Sequence, residues 1–252
     1  MPHATGPWAA HLLDGHDPAS LAGSELPYET LLGLAPDLIV AIYTNLSQEE
    51  YDRLATIAPT IAWKREAGPW GTHWEDNARL LGRVLDRRQA AETLIARVHD
   101  SFRSIRERYP RFNGAHGIAG NSAGGTFVIR GSRYDTGSLL TGLGITYPPD
   151  ILRRPGASPM MHFSWEQAHL ISRDLDVILW DVHGGQDIPA MARRMEMLGV
   201  YPGEGRIVFN DATSLVSMAM ASQSVLSFPY AAALIAPRLA AALAGNAPVP
   251  AD

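Results

Sequence analysis

The sequence predicts an α/β protein built as two lobes, each with a mostly parallel sheet, joined by one long helix. Three observations lead there. Residues 86–109 read as a single uninterrupted helix. A short pattern occurs once on each side of it, Tyr28-Glu29-Thr30-Leu31-Leu32 then Asp37-Leu38-Ile39-Val40-Ala41, and Trp165-Glu166-Gln167-Ala168 then Asp176-Val177-Ile178-Leu179-Trp180. Apolar runs alternate with amphipathic stretches along most of the chain, the signature of strands followed by covering helices.

The long helix comes first because the rest is arranged about it. Leu94, Val98, Phe102, Ile105 and Tyr109 recur at steps of three and four and form one apolar stripe, widened by Ala91 and Ile95. Arg and Glu fill the other faces, and Pro110 ends the helix. At the rise of an α-helix it spans about 36 Å. That length suits a strut between lobes better than an element packed inside one. The domain division expected is therefore 1–85 for an N-terminal lobe, 86–109 for the connector and 110–252 for a C-terminal lobe. Each lobe repeats a helix opening on aromatic-Glu, a polar turn and a buried strand, which makes the lobes Rossmann-like.

The first 24 residues are rich in Pro, Gly, His and Asp and read as an irregular loop with one helical turn near Trp8. A short helix follows over 25–35 and an apolar strand over 37–43, as in a sheet covered on both faces. Residues 45–57 form a helix, with Ser47 as N-cap and Glu50 closing a capping box. A second strand runs over 59–63, a loop over 64–71 and a helix over 74–85. Beyond the connector, 114–130 is Gly-rich and ends in a strand at 126–129, and 138–143 is a short helix closed by Gly144. The remaining elements are a helix at 165–171, a strand at 176–180, a helix at 188–197, a strand at 206–209 and a closing Ala-rich helix at 229–243.

Composition narrows the function. The 252 residues are 46% hydrophobic and 19% charged, as in a globular protein. A net charge of −5 leaves no basic footprint for nucleic acid. With no cysteine there is no disulfide, thiolate metal site or cysteine nucleophile. No stretch is long and apolar enough to span a membrane. The nine histidines show no ligand spacing with a nearby carboxylate, so no protein metal site is expected.

The order of the pieces resembles the iron-siderophore and cobalamin substrate-binding proteins of ABC importers, whose lobes are joined by one rigid helix (the class III type). The resemblance rests on Glu29 with Leu34-Ala35-Pro36-Asp37-Leu38-Ile39-Val40, then Tyr51-Asp52-Arg53-Leu54 through Ile57-Ala58-Pro59-Thr60. Leu80-Leu81-Gly82, Tyr134 to Gly144, Glu166 and Asp176-Val177-Ile178-Leu179 complete it. It implies a monomer outside the cytoplasm, periplasmic or at the cell surface, that binds a ferric siderophore and meets an ABC permease. The membrane is then touched only through the permease or a lipid anchor. The iron comes already chelated, so no cofactor is implied. The resemblance further implies docking of Glu29 and Glu166, one on each lobe, into cationic pockets of the permease. Family members carry a signal peptide and a first strand pair ahead of the segment where this sequence starts, so an N-terminal lobe lacking its first strands is expected.

Ligands of open α/β lobes sit beyond the carboxyl ends of strands. That selects Tyr43, Thr44, Trp63, Arg65 and Trp70 on one side, and Arg130, Arg133, Tyr134, Trp180, Asp181 and His183 on the other. The set is aromatic and cationic, suited to a bulky anionic chelate whose oxygens Arg pairs and whose faces Trp and Tyr cover. Two alternatives stand beside this reading. One is a cobalamin or haem binder of the same fold. The other is a serine hydrolase, because Gly120-Asn121-Ser122-Ala123-Gly124 matches the G-x-S-x-G elbow with Ser122 as nucleophile. Against the hydrolase, a strand rather than a helix follows the motif, and His183-Gly184-Gly185 comes after it instead of before.

Overall fold

The computed structural model describes residues 6–16, 18–19, 26–63, 68, 71–152, 160–183, 187–200 and 206–246. The first half holds α1 (Pro7–Ala10), α2 (Tyr28–Leu34), β1 (Ile39–Ala41), α3 (Gln48–Ala55), β2 (Thr60–Ala62), α4 (Trp74–Val84) and α5 (Arg88–Arg108). The second holds β3 (Gly117–Ala123), β4 (Thr126–Arg130), α6 (Asp135–Gly142), α7 (Pro149–Leu152), β5 (Met160–Phe163) and α8 (Trp165–Ser172). It continues with β6 (Val177–Val182), α9 (Ile188–Met197), β7 (Ile207–Asp211), α10 (Leu215–Ser222) and α11 (Ser227–Leu243).

Two sheets result. β1 and β2 pair in parallel, with Ile39 opposite Thr60 and Ala41 opposite Ala62. The five-stranded sheet has the order β5-β4-β3-β6-β7. β3, β6 and β7 are parallel neighbours, and β4 is antiparallel to both β3 and β5, so four of the five strands run one way. The mostly parallel α/β architecture expected from the sequence is present.

Local chemistry explains the smaller sheet's helix. Ser47 and Glu50 make the capping box reciprocally, the Ser47 side chain accepting from the Glu50 N–H and the Glu50 carboxylate accepting from the Ser47 N–H at 2.8 Å. β4 falls where a strand is expected, and β3 precedes it in the Gly-rich stretch. Gly124 and Gly125 both have positive φ, 55° and 76°, the geometry of a two-residue hairpin turn that glycine adopts without steric cost. The Gly-rich stretch thus holds a largely buried strand and the turn that follows it.

The connector is one long helix seated against the large core. α5 is a single helix, and its stripe of Ala91, Ile95, Val98 and Phe102 is buried. Ile95, Val98 and Phe102 belong to the same core as the large sheet, with the Phe102 ring 6.2 Å from Phe228 of α11. α4 folds back along α5 after a left-handed turn at Asp86. Gly82 allows this approach, since a Cβ there would fall 2.6 Å from that of Ala91. The rod is therefore laid along the C-terminal body, its polar faces outward. Ala41, Ile42, Leu54 and Ala58 are the buried apolar residues around the small sheet, and they lie outside that large core. Trp8 of α1 packs on Tyr230 of α11 with ring centres 5.7 Å apart.

Candidate functional site

β6 and β7 end side by side in Asp181–Val182 and Asn210–Asp211, register partners on parallel strands. The Asp181 carboxylate is 8% exposed, and its Oδ1 accepts from Asn210 Nδ2 at 3.1 Å and from Ser217 Oγ at 2.9 Å. Arg238 of α11 donates to Asn210 Oδ1 at 3.1 Å and to the Phe209 carbonyl. Burial lowers the Arg238 pKa and the Asp181 charge partly restores it. A buried carboxylate held by two donors with a guanidinium beyond is a satisfied network, rigid rather than reactive.

Above this network lies a cavity of 110 Å³ lined by Arg130, Thr136, Asp181, His183, Ala212 and Ser217, with Met218 and Met220 along one side. Arg130 does not lie beyond the carboxyl ends of the parallel strands, because β4 runs antiparallel to β3. Arg130 sits level with Ala119 and Leu179. It still reaches the cavity because the register places it on the same face as Asp181, two residues further along the sheet. Its backbone is fixed by Tyr147, whose hydroxyl donates to the Arg130 carbonyl at 2.8 Å and accepts from the Ala119 N–H at 3.0 Å. The next residues, Arg133 and Tyr134, line a second cavity of 220 Å³ with Tyr147, Ile151 and Met161.

On the other side, the carboxyl end of β2 and the start of α3 border a cavity of 360 Å³ lined by Leu46, Ser47, Gln48, Tyr51, Ala62 and Trp63. The buried indole N–H of Trp63 finds no acceptor among the described residues. Thr44 turns back to its own loop, its hydroxyl donating to the Ala41 carbonyl at 3.0 Å. Tyr43 crosses to the other body, donating to the Gln223 carbonyl at 2.9 Å. Burial raises the Tyr43 pKa, against a smaller lowering by Asn77. Gln223 has φ 43° and is 4% exposed, so this bond anchors a strained, buried turn between α10 and α11. A second link joins His73, ahead of α4, to Ser138 of α6 at 3.3 Å.

Trp180 needs correction as a ligand-facing residue. It is 0% exposed, with ring centres 4.7 Å from Phe127 and 5.9 Å from Trp165. Alternation along β6 turns Trp180 to the opposite face from Asp181, into the core. Arg65 and Trp70 lie outside the described residues. Ser122 sits within β3, ahead of the hairpin turn, where no strand-to-helix elbow exists. Thr136, Asn210 and Ser217 were not found from the sequence. Ser217 lies on α10, which carries no helical stripe to betray it. Among the described residues no group of three or more His, Asp or Glu is placed to hold a metal ion.

Glu29 and Glu166 are exposed in the first turns of α2 and α8. Hydrogen bonds from its own N–H and from Ser164 hold the Glu166 carboxyl below its usual range. No helix among the described residues is long and apolar enough to cross a membrane.

The family model for periplasmic binding proteins matches residues 2–196. No curated protein matches the sequence. Among solved structures, the iron-uptake ABC transporter substrate-binding protein PiaA of Streptococcus pneumoniae, in complex with ferrichrome, is similar at TM-score 0.81 and 22% identity, over 96% of this chain and 82% of that one. A periplasmic solute-binding protein of Mycobacterium smegmatis is similar at 0.76 and 26%, over 95% and 81%. FhuD2 of Staphylococcus aureus with bound ferrioxamine B is similar at 0.70 and 14%, over 94% and 88%.

Proposed function

The chain belongs to the periplasmic binding protein family, and on that premise we propose that it takes a ferric siderophore between its two sheets and delivers it to the permease of an ABC importer. The observation that carries this is a cavity in each half, one beside the end of β2 and one beside the ends of β6 and β7. One offers Trp63, whose indole N–H has no acceptor among the described residues. The other offers Arg130 and His183 above a braced Asp181, with Arg133 and Tyr134 alongside. Donors and aromatic faces on two walls suit a bulky chelate with many oxygens. Structural neighbours holding ferrichrome and ferrioxamine B support the same class of ligand.

Each residue has a task in this account. Arg130 pairs ligand oxygens from a backbone fixed by Tyr147. Trp63 covers a ligand face and donates from its indole. Tyr43 and Thr44 shape the wall rather than touch the ligand. The iron stays in its chelate, so the chain supplies no metal ligand of its own. The monomer acts outside the cytoplasm and presents Glu29 and Glu166 to cationic pockets of the permease, a two-point charge-steered contact.

Isothermal titration of the purified chain with ferrichrome, ferrioxamine B, cyanocobalamin and haemin tests the ligand class. Saturable binding of a ferric siderophore, weakened about tenfold by Arg130→Gln, is expected. Binding of cyanocobalamin or haemin alone would replace the siderophore reading. Glu29→Ala with Glu166→Ala should abolish uptake and leave ligand affinity intact; lost ligand affinity would place these residues in the cleft instead.

A further inference from the structure

The two aromatic-Glu pairs share a feature absent from their local sequence. Arg53, in the last turn of α3, places its guanidinium 3.7 Å from the centre of the Tyr28 ring. Arg194, in the last turn of α9, lies 4.4 Å from the centre of the Trp165 ring. Each ring belongs to the residue immediately before an exposed carboxylate, Glu29 or Glu166. In both halves, then, the helix that follows the strand returns a cation onto the residue beside the docking acid.

The supports beneath the two rings are unequal. α8 opens with a full capping box between Ser164 and Gln167. Trp165 is 6% exposed and meets Phe127 edge-on at 5.4 Å, and Ala168 of the same helix is 0% exposed. α2 has seven residues, none of them buried, and its N-cap position is Pro27, with no side-chain cap bond. A helix that short is not stable by itself in water and needs tertiary contacts to hold it. Among the described residues, the Arg53 stack on Tyr28 is a tertiary contact on its first turn.

We propose that Arg53 is the positioning residue for Glu29, holding the first turn of α2 through its stack on Tyr28, and that the equivalent Arg194 is dispensable for Glu166. The functional part of this rests on the docking reading above; the structural part does not. A guanidinium stacked on a ring at an exposed site makes a modest contribution, enough to decide a marginal helix and too small to matter for an anchored one.

Hydrogen exchange of the purified chain separates the two parts. Arg53→Gln should raise exchange of the α2 amides about three- to fivefold. Arg53→Lys, which keeps the cation, should restore part of the protection, and Tyr28→Phe, which keeps the ring, most of it. Arg194→Gln should leave the α8 amides unchanged. Unchanged exchange in α2 on Arg53→Gln, or equal loosening of α8 on Arg194→Gln, would overturn the proposal. The second readout is ATPase stimulation of the cognate permease in proteoliposomes, with ferrichrome as probe. Arg53→Gln should weaken stimulation severalfold and Arg194→Gln should not. Stimulation that survives Glu29→Ala with Glu166→Ala would remove the docking reading and the use of Arg53 in it, while the exchange result would still decide what holds α2.

Discussion

β1 and β6 start from nearly the same residues and reach opposite environments. Asp37-Leu38-Ile39-Val40-Ala41 leads into a two-stranded sheet where Val40 is 46% exposed. Asp176-Val177-Ile178-Leu179-Trp180 leads into the middle of a five-stranded sheet where Val177, Ile178 and Trp180 are 0% exposed. A strand's own pattern sets its propensity, but the layers around it set its burial. The C-terminal body has helices on both faces of its sheet, with Trp165 of α8 against Phe127 and Trp180 on one and Arg238 of α11 reaching Asn210 on the other. The N-terminal half has one short sheet, α2 without a buried residue, and α3 with Leu54 alone buried. One half is a platform and the other a lightly held cover. Local opening is easiest where few apolar contacts are buried, which here is the N-terminal half.

The largest way to test this contrast is Trp180→Ala. Removing a ring from the centre of the Phe127–Trp165–Trp180 cluster should cost about 3–5 kcal/mol, read as a lower urea midpoint. Leu54→Ala comes next. Leu54 is 1% exposed, and its loss should cost about 2–3 kcal/mol. That loss should appear as faster exchange in β1 and β2 with β3 and β6 unaffected. Equal acceleration in both sheets would make the halves one cooperative unit and break the comparison. Tyr43→Phe removes the donor to the Gln223 carbonyl and should cost about 1 kcal/mol, with faster ligand dissociation as the halves lose a link.

The smallest effect concerns His73, at the second link. Burial lowers its pKa from 6.5, opposed by Glu75 and Asp76 and reinforced by Arg133 and His99. A histidine with a depressed folded pKa takes up fewer protons folded than unfolded. Its contribution is complete above pH 6.5 and is lost as pH falls through the folded pKa. His73→Asn should flatten the acid limb of stability below pH 6.5, measured by urea midpoints over a pH series.

Much of this architecture is legible in the residues themselves. The Ser47–Glu50 box, the α5 stripe and the Asp-led strands all declare themselves, because each is a local signal repeated at a fixed period. β3 was hidden because Gly117, Gly120 and the Gly124-Gly125 turn look like loop chemistry. Gly120 is required by packing, since a Cβ there would lie 2.6 Å from the Val128 carbonyl. The small residues of α10 and the reversed direction of β4 also leave no local mark. Site residues near strand ends were half recoverable for the same reason. His183 follows from the carboxyl end of β6. Whether Trp180 or Asp181 faces the cavity depends on register, and Tyr43 is claimed by Gln223, 180 positions away.

The most direct test of the account is hydrogen exchange of the intact chain with and without a saturating ferric siderophore that binds in titration. Protection should appear on both walls at once, in residues 43–63 and in residues 130–134, 181–183 and 212–221. Protection confined to one wall, or placed on the outer face near Glu29 and Glu166, would contradict a guest held between the two sheets.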